Sequence, residues 1–174
     1  MTEHEDRADI IAVLNLYAVA LDSHAWHLFD RVFTDDVTAD FGPASAEWKG
    51  VDDLTTAFEL FHKTLDNHAH TMSGHVVHVD GDTAYSLTYG NWLLVRHDAE
   101  GGPTWLGTGW YDDLLVRTDR GWRIKHRISR LVAYTGNPDV PQPVGDQSPD
   151  HTGHVLRFAR ENEELRFFNA IQAS

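Results

Sequence analysis

A chain of 174 residues with 41% hydrophobic and 11% aromatic side chains has the composition of one folded domain, able to bury roughly 70% of its unfolded surface. Its 14 basic and 27 acidic residues leave a net charge of −13, which repels phosphate backbones and anionic membrane surfaces, so neither nucleic acid nor membrane is expected as a partner. Without cysteine, disulfides, thiolate catalysis and Cys-ligated metal sites are excluded; with an acidic, non-apolar N-terminus and no membrane-length apolar run, the expected location is the cytoplasm.

Thr2 and Glu5 have the spacing of a capping box, and Ile10, Leu14, Tyr17 and Leu21 then recur at helical intervals, which predicts a first helix over residues 5–22. A shorter helical segment is expected from His24 to Phe33, ended by Thr34-Asp35-Asp36, with a short strand over Val37 to Phe41. After Gly50, the stripe Leu54, Phe58, Phe61 and Leu65 predicts another helix, with Asp52 and Asp53 in its first turn where the helix dipole favours them. From residue 74 the period changes to two. Strands at 74–79, 83–97, 104–118 and 122–134 are divided by Asp80-Gly81-Asp82, by the loop at Glu100 to Pro103, and by Asp119-Arg120-Gly121, an antiparallel meander. Residues 136–150 contain four prolines and no periodicity and read as an arm; Val155, Phe158, Leu165, Phe168 and Ile171 then restore a helical pattern.

Helices followed by a long meander imply an α+β fold, a curved antiparallel sheet wrapped around N-terminal helices. Six pieces of the chain, in order, then carry a family resemblance: Ile11 with Tyr17 and Asp22; Phe33-Thr34-Asp35-Asp36-Val37; Trp48-Lys49-Gly50; Val79-Asp80-Gly81-Asp82-Thr83-Ala84; Gly109, Tyr111 and Asp113; and Gly121-Trp122-Arg123-Ile124 with Arg127. Over residues 6–134 the chain resembles the SnoaL-like branch of the nuclear-transport-factor-2-like superfamily. The resemblance implies a cone-shaped α+β barrel over residues 1–134, with residues 135–174 as a C-terminal extension packing on the same domain or on a neighbouring subunit.

Within that branch, the spacing of Asp22 and His70, 48 residues apart, is similar to that of the Asp–His pair in hexachlorocyclohexane dehydrochlorinase and bile acid 7α-dehydratase. The bile acid enzyme also has a tyrosine five residues before its aspartate, which falls on Tyr17, and the dehydrochlorinase an arginine that falls on Arg127. What these enzymes share is elimination, in which a base removes a proton from carbon while a group leaves the neighbouring carbon. The resemblance therefore implies His70 as base, Asp22 as its partner, and Tyr17 with Arg127 as electrophilic assistance, without cofactor or metal.

The residues themselves are compatible with these roles and with plainer ones. Asp22 stands at a helix C-terminus, where the dipole disfavours a carboxylate, so something else must hold it there. Histidine is suited to general-base work near neutral pH, and a carboxylate on one ring nitrogen fixes the tautomer. His68, His70, His75 and His78 are also close enough in sequence to suggest a metal site. Tyr17 lies on the apolar stripe of helix one and could be simple core. Strict alternation places Arg127 opposite Trp122, Ile124 and His126, hence facing out unless a bulge shifts the register. Asn91, sharing a strand face with Tyr89 and Leu93, is a candidate substrate contact, as is Trp26.

The sequence thus points to a cofactor-independent lyase of dehydratase type acting on a small hydrophobic cyclic or polyketide-like molecule. The competing readings are a ketosteroid-isomerase-like isomerase or polyketide cyclase, and a non-catalytic small-molecule-binding module. Apolar side chains on the outer sheet face and the amphipathic tail lead us to expect a homo-oligomer, dimer or trimer.

Overall fold

The computed structural model of the protein describes residues 2–42, 48–141 and 155–173. Helix α1 spans Glu3–Asp22, opened by the expected capping box: the Thr2 hydroxyl accepts from the Glu5 amide at 3.3 Å and the Thr2 amide donates to Glu5 Oε2 at 2.7 Å. A 3₁₀ turn (Trp26–Leu28) and the single-turn helix α2 (Phe29–Val32) lead into β1 (Phe33–Asp40). Strand β2 (Trp48–Lys49), helix α3 (Val51–His62) and strands β3 (Asn67–Asp80), β4 (Thr83–Val95), β5 (Thr104–Thr118) and β6 (Gly121–Gly136) follow, with α4 (Leu156–Glu161) and α5 (Arg166–Ala173) at the end.

The six strands form one curved, unclosed sheet in the order β2-β1-β6-β5-β4-β3. The last four are the expected antiparallel meander, but β1 joins the far side of β6 in parallel. Thr34-Asp35-Asp36, expected to end a helix, instead lie inside β1. Asp35 and Asp36 are exposed there, beside a register shift, and their carboxylates pair with Arg120 and Lys125. Propensity disfavours acidic residues in strands, and here cross-strand cations offset it.

Strand β3 also begins earlier than its sequence suggests, at Asn67 rather than 74, so His70 lies within the strand and not before it. Over 67–73 the chain alternates exposed and partly buried positions, but the inward members are His68, His70 and Met72. Polar inward residues hid the period of two. Gly74, at φ +62°, then sits in a register shift between Ser73 and Val76, a backbone conformation that a side chain resists.

The inner face of the sheet closes on α1 through Ile10, Leu14, Tyr17 and Leu21, all essentially inaccessible, each aliphatic one worth roughly 1.5–3 kcal/mol of burial. Phe29, Phe33, Leu54, Trp92, Tyr111, Leu115, Trp122 and Ile124 complete that core. The outer face carries a second cluster, in which Leu87 and Trp110 of the sheet meet Ala159, Leu165 and Phe167 of the tail. Asp112 anchors this packing, accepting the first two amides of α5, from Arg166 at 2.7 Å and Phe167 at 3.3 Å. The tail therefore lies on this chain's own sheet; residues 142–154 of the proline-rich arm fall outside the described residues. Among the described residues no helix is long and apolar enough to cross a membrane.

Candidate active site

Asp22 is the last residue of α1 and His70 lies on β3, and packing of α1 against that strand brings them together. Asp22 Oδ1 meets His70 Nδ1 at 2.7 Å and Asp22 Oδ2 accepts the His70 backbone amide at 2.8 Å. A second imidazole reaches the same oxygen, His68 Nδ1 at 3.2 Å. Both ring positions follow from the i, i+2 alternation of a strand, which turns two histidines to one face. A carboxylate only accepts, so each Nδ1 must carry a proton, and in the neutral ring His70 Nε2 is then a bare lone pair. Burial alone would raise the Asp22 carboxyl, but the hydrogen bonds from His68, from His70 and from the His70 amide outweigh it and hold the group well below the usual carboxylate range. These bonds supply the support that the helix dipole denies a C-terminal carboxylate.

His62, on the last turn of α3, closes the other side. It is 1% exposed, its Nδ1 bonds to the Phe58 carbonyl at 2.7 Å, and its ring lies 4.6 Å from that of His68 and 5.9 Å from that of His70. Burial drives its pKa down to about 3, further lowered by the neighbouring histidines, although the Phe58 carbonyl works the other way. It is thus a neutral wall at physiological pH. Trp26, half-buried, packs on His24 and His62 at 5.2 and 5.7 Å between centroids, so it borders the histidine cluster.

A second set of polar groups lies deeper. Arg127 and Asp113 face each other across β6 and β5, both side chains fully buried, joined by Nε to Oδ1 at 2.7 Å and Nη2 to Oδ2 at 2.8 Å. The guanidinium lies over the rings of Tyr17 and Tyr111, 4.1 and 4.4 Å from their centroids. Burial would weaken its charge, but Asp113 more than restores it and lifts Arg127 above its ordinary value. The outward orientation expected from strict alternation is therefore corrected. Leu114 pairs with His126 but Leu115 pairs with Ile124, so Lys125 is an extra residue, and this bulge turns Arg127 inward.

Tyr17 is buried among Phe29, Phe33, Phe58 and Tyr111. Its pKa is raised by burial, with the charge of Arg127 and a polar contact with Tyr111 opposing. Trp92 Nε1 donates to the Tyr111 oxygen. Because an indole only donates, Tyr111 accepts from Trp92, which leaves the Tyr111 hydroxyl its own hydrogen to donate. Gly90 makes this possible: a Cβ there would stand 2.8 Å from the Tyr111 ring and 3.1 Å from Trp92. Phe58 bridges the two regions, with centroids 6.4 Å from Tyr17 and 5.7 Å from His62.

Not every candidate joins them. Asn91 lies between exposed Tyr89 and Leu93 on the outer face of β4, whereas its neighbour Trp92 points into the core; the alternation that grouped it with those residues also turns it away from the dyad. His75 lies beyond the Gly74 shift and bonds to Thr88 and Asn15, so of the four clustered histidines His68 and His70 share the Asp22 carboxylate. Sequence reasoning missed His24, His62, Tyr111, Trp92 and Asp113 as parts of the arrangement. The His-x-His alternation was the available signal for His68.

Asp22, His68 and His70 each offer a ligand atom within 4.8 Å of the others, so this is where a metal ion would find donors. The 2.7 Å separation of His70 Nδ1 from Asp22 Oδ1 is hydrogen-bond length, however, whereas two ligands of a tetrahedral zinc stand roughly 3.3 Å apart given metal–ligand bonds of about 2.0–2.1 Å. The geometry is that of a carboxylate–imidazole pair.

An α+β domain with a curved sheet and helices packed into its inner face defines the fold class. The chain belongs to the SnoaL-like domain family, which matches residues 2–128. It is 33% identical over 133 residues to an uncharacterized protein of Mycobacterium tuberculosis, covering 74% of this chain and 86% of that one. A solved structure of a putative scytalone dehydratase from Novosphingobium aromaticivorans is similar at TM-score 0.66 and 21% identity, over 75% of this chain and 86% of the other. A hexachlorocyclohexane dehydrochlorinase is similar at TM-score 0.68 and 15% identity, over 75% and 88%. At such identities the structural likenesses establish the fold, one shared with proteins described as NTF2-like and cystatin-like.

Proposed function

We propose that the protein is an elimination-type lyase for a small hydrophobic molecule, with His70 as base and Asp22 as its partner. The observation that carries this reading is the two-point grip of Asp22 on His70, Oδ1 to Nδ1 at 2.7 Å and Oδ2 to the backbone amide at 2.8 Å, which leaves Nε2 bare and ready to accept a proton. His70 Nε2 takes the proton from carbon; the C–H electron pair becomes the new C=C bond, and the leaving group departs with the pair of its own bond. Asp22 stabilises the imidazolium that forms, and the imidazolium proton leaves with the departing group, so that the protein ends as it began. Tyr17 donates a hydrogen bond to the departing oxygen or halogen, and Arg127 holds the Tyr17 and Tyr111 rings in place. The dehydratase and dehydrochlorinase names of two structural neighbours are in keeping with this chemistry.

The test begins with mass spectrometry of ligands that co-purify with the protein, followed by turnover of that chemotype and of its analogue deuterated at the abstracted position. A slower deuterated reaction, lost in His70→Ala, is the expected result. Full turnover in both His70→Ala and Asp22→Asn would overturn the assignment. Rearrangement without loss of a group would favour an isomerase or cyclase that uses the same base, and binding without turnover would favour a ligand-binding module.

A further inference from the structure

The elimination reading uses one of the two imidazoles on Asp22. The second continues outward, for His68 Nε2 lies 2.8 Å from His24 Nε2. The two rings are nearly coplanar, 12° apart with centroids 5.0 Å apart, so they meet edge to edge along their in-plane lone-pair directions and do not lie face to face. That is the geometry of an N–H···N bond. Its direction is fixed by the carboxylate. His68 donates Nδ1–H to Asp22, so its neutral ring has a bare Nε2, and the proton between the two rings must come from His24.

The backbone at His24 shows that its place in the arrangement runs against local preference. The His24 amide bonds to the Leu21 carbonyl at 3.0 Å and the Ala25 amide to the Ala20 carbonyl at 2.9 Å, which is the Schellman closure of α1, with His24 in the left-handed position at φ 53°. Glycine is the usual occupant of that position because it has no Cβ to strain. Here an imidazole takes it, and from that position the ring reaches His68 while Trp26 packs on its other side, centroids 5.2 Å apart.

We propose that His24 and His68 are positioning residues, a second imidazole arm that holds Asp22 in register with His70. His24 locks His68 in its Nδ1–H tautomer, and His68 then holds the same Asp22 Oδ1 that His70 holds. Asp22 ends an α-helix and its side chain is 29% exposed; the His70 ring and amide hold its two oxygens, and His68 adds a third bond, to Oδ1. The second arm limits the remaining motion of this partly exposed carboxylate and keeps the proton of His70 on Nδ1. The inference rests on Asp22 and His70 as the working pair, and it is tested without any substrate.

The experiment is nitrogen-15 NMR of the histidine rings, with solvent exchange of the His70 Nδ1–H, in the native protein and in the variants His24→Gly, His68→Leu and His68→Asn. In the native protein, His68 should show a protonated Nδ1 and a bare Nε2, and His24 a protonated Nε2. His24→Gly should fold and melt no lower than the native protein, since glycine suits the left-handed position, yet it should release His68 into a mixture of tautomers. The His70 Nδ1–H should exchange roughly tenfold faster in His68→Leu, which loses a charge-assisted hydrogen bond, and His68→Asn, which keeps an amide donor, should recover most of the protection. A native His68 protonated at Nε2, or exchange at His70 unchanged in both His24→Gly and His68→Leu, would overturn the proposal and leave the elimination reading standing. Failure of turnover in the assays above would leave these spectra unaffected.

Discussion

Removing the Asp113 carboxylate with an alanine separates what the buried ion pair does for the fold from what Arg127 does for the reaction. Both side chains are fully buried and joined by two short hydrogen bonds, so Asp113→Ala leaves a guanidinium with no counter-charge in the core. Breaking a buried pair in this way costs about 3–5 kcal/mol. A domain of this size loses roughly 2–4 °C of melting temperature per kcal/mol, so the variant should melt roughly 6–20 °C lower. Arg127→Met should suffer a comparable loss because it strands Asp113. The double variant Asp113→Leu with Arg127→Met removes both charges and should return to within about 1 kcal/mol of the native protein, since apolar replacements of buried pairs are often neutral or stabilising. Thermal unfolding followed by circular dichroism reads all three. A drop below 2 °C in Asp113→Ala would refute the reasoning. A double variant that is stable yet inactive would show that the pair serves the chemistry through Tyr17.

Three further outcomes are expected. His70→Ala should lower turnover of the identified ligand by roughly 10²- to 10⁴-fold while leaving its affinity nearly unchanged, measured by steady-state kinetics beside calorimetric titration, and Tyr17→Phe should cost less. Asp112, fully buried, has its pKa raised to about 6, by burial above all and also by the charge of Asp113, although the Arg166 and Phe167 amides work the other way. The folded state therefore binds a proton that the unfolded chain has released, so the stabilisation is complete below about pH 4 and is lost as pH rises through about 6, a change of roughly 3 kcal/mol. Asp112→Asn should accordingly melt several degrees higher than the native protein at pH 8, with the difference closing at pH 4; a pH-independent difference would refute this. Exposed Tyr89, Leu93, Leu106 and Val76 on the outer face suit a second copy, and light scattering at micromolar concentration should show a dimer or trimer; a monomer would remove that expectation.

The helical parts of the fold and the meander were legible because their apolar side chains recur with the period of the element they form. Ile10, Leu14, Tyr17 and Leu21 face the core as their spacing says. Legibility fails where polar side chains occupy inward positions or where a strand gains a residue. The start of β3 was hidden because its inward positions are His68, His70 and Met72. The start of β1 was hidden because Asp35 and Asp36 are held there by cations from residues 85 and 89 positions away, and no local preference reports such a partner.

At the candidate site the same rule has a functional edge. Asp22 and His70 were found through a spacing similar to that of known Asp–His pairs, whereas His24 had no motif to announce it, His68 stood out only as one of four clustered histidines, and Arg127 was placed on the wrong face by an alternation that breaks at Lys125. Each failure coincides with a local rule broken: a histidine where a helix end prefers glycine, histidines on the inward face of a strand, an extra residue in β6, a charged pair in the core. A chain under selection for stability alone would have little reason to keep four such departures around one carboxylate and one tyrosine, and sites where local preference and tertiary structure disagree are where function is expected to be the cause. The disagreements therefore mark out a larger unit than the Asp–His pair, running from His24 through His68, Asp22 and His70 and, across Phe58, to Tyr17 and the Arg127–Asp113 pair.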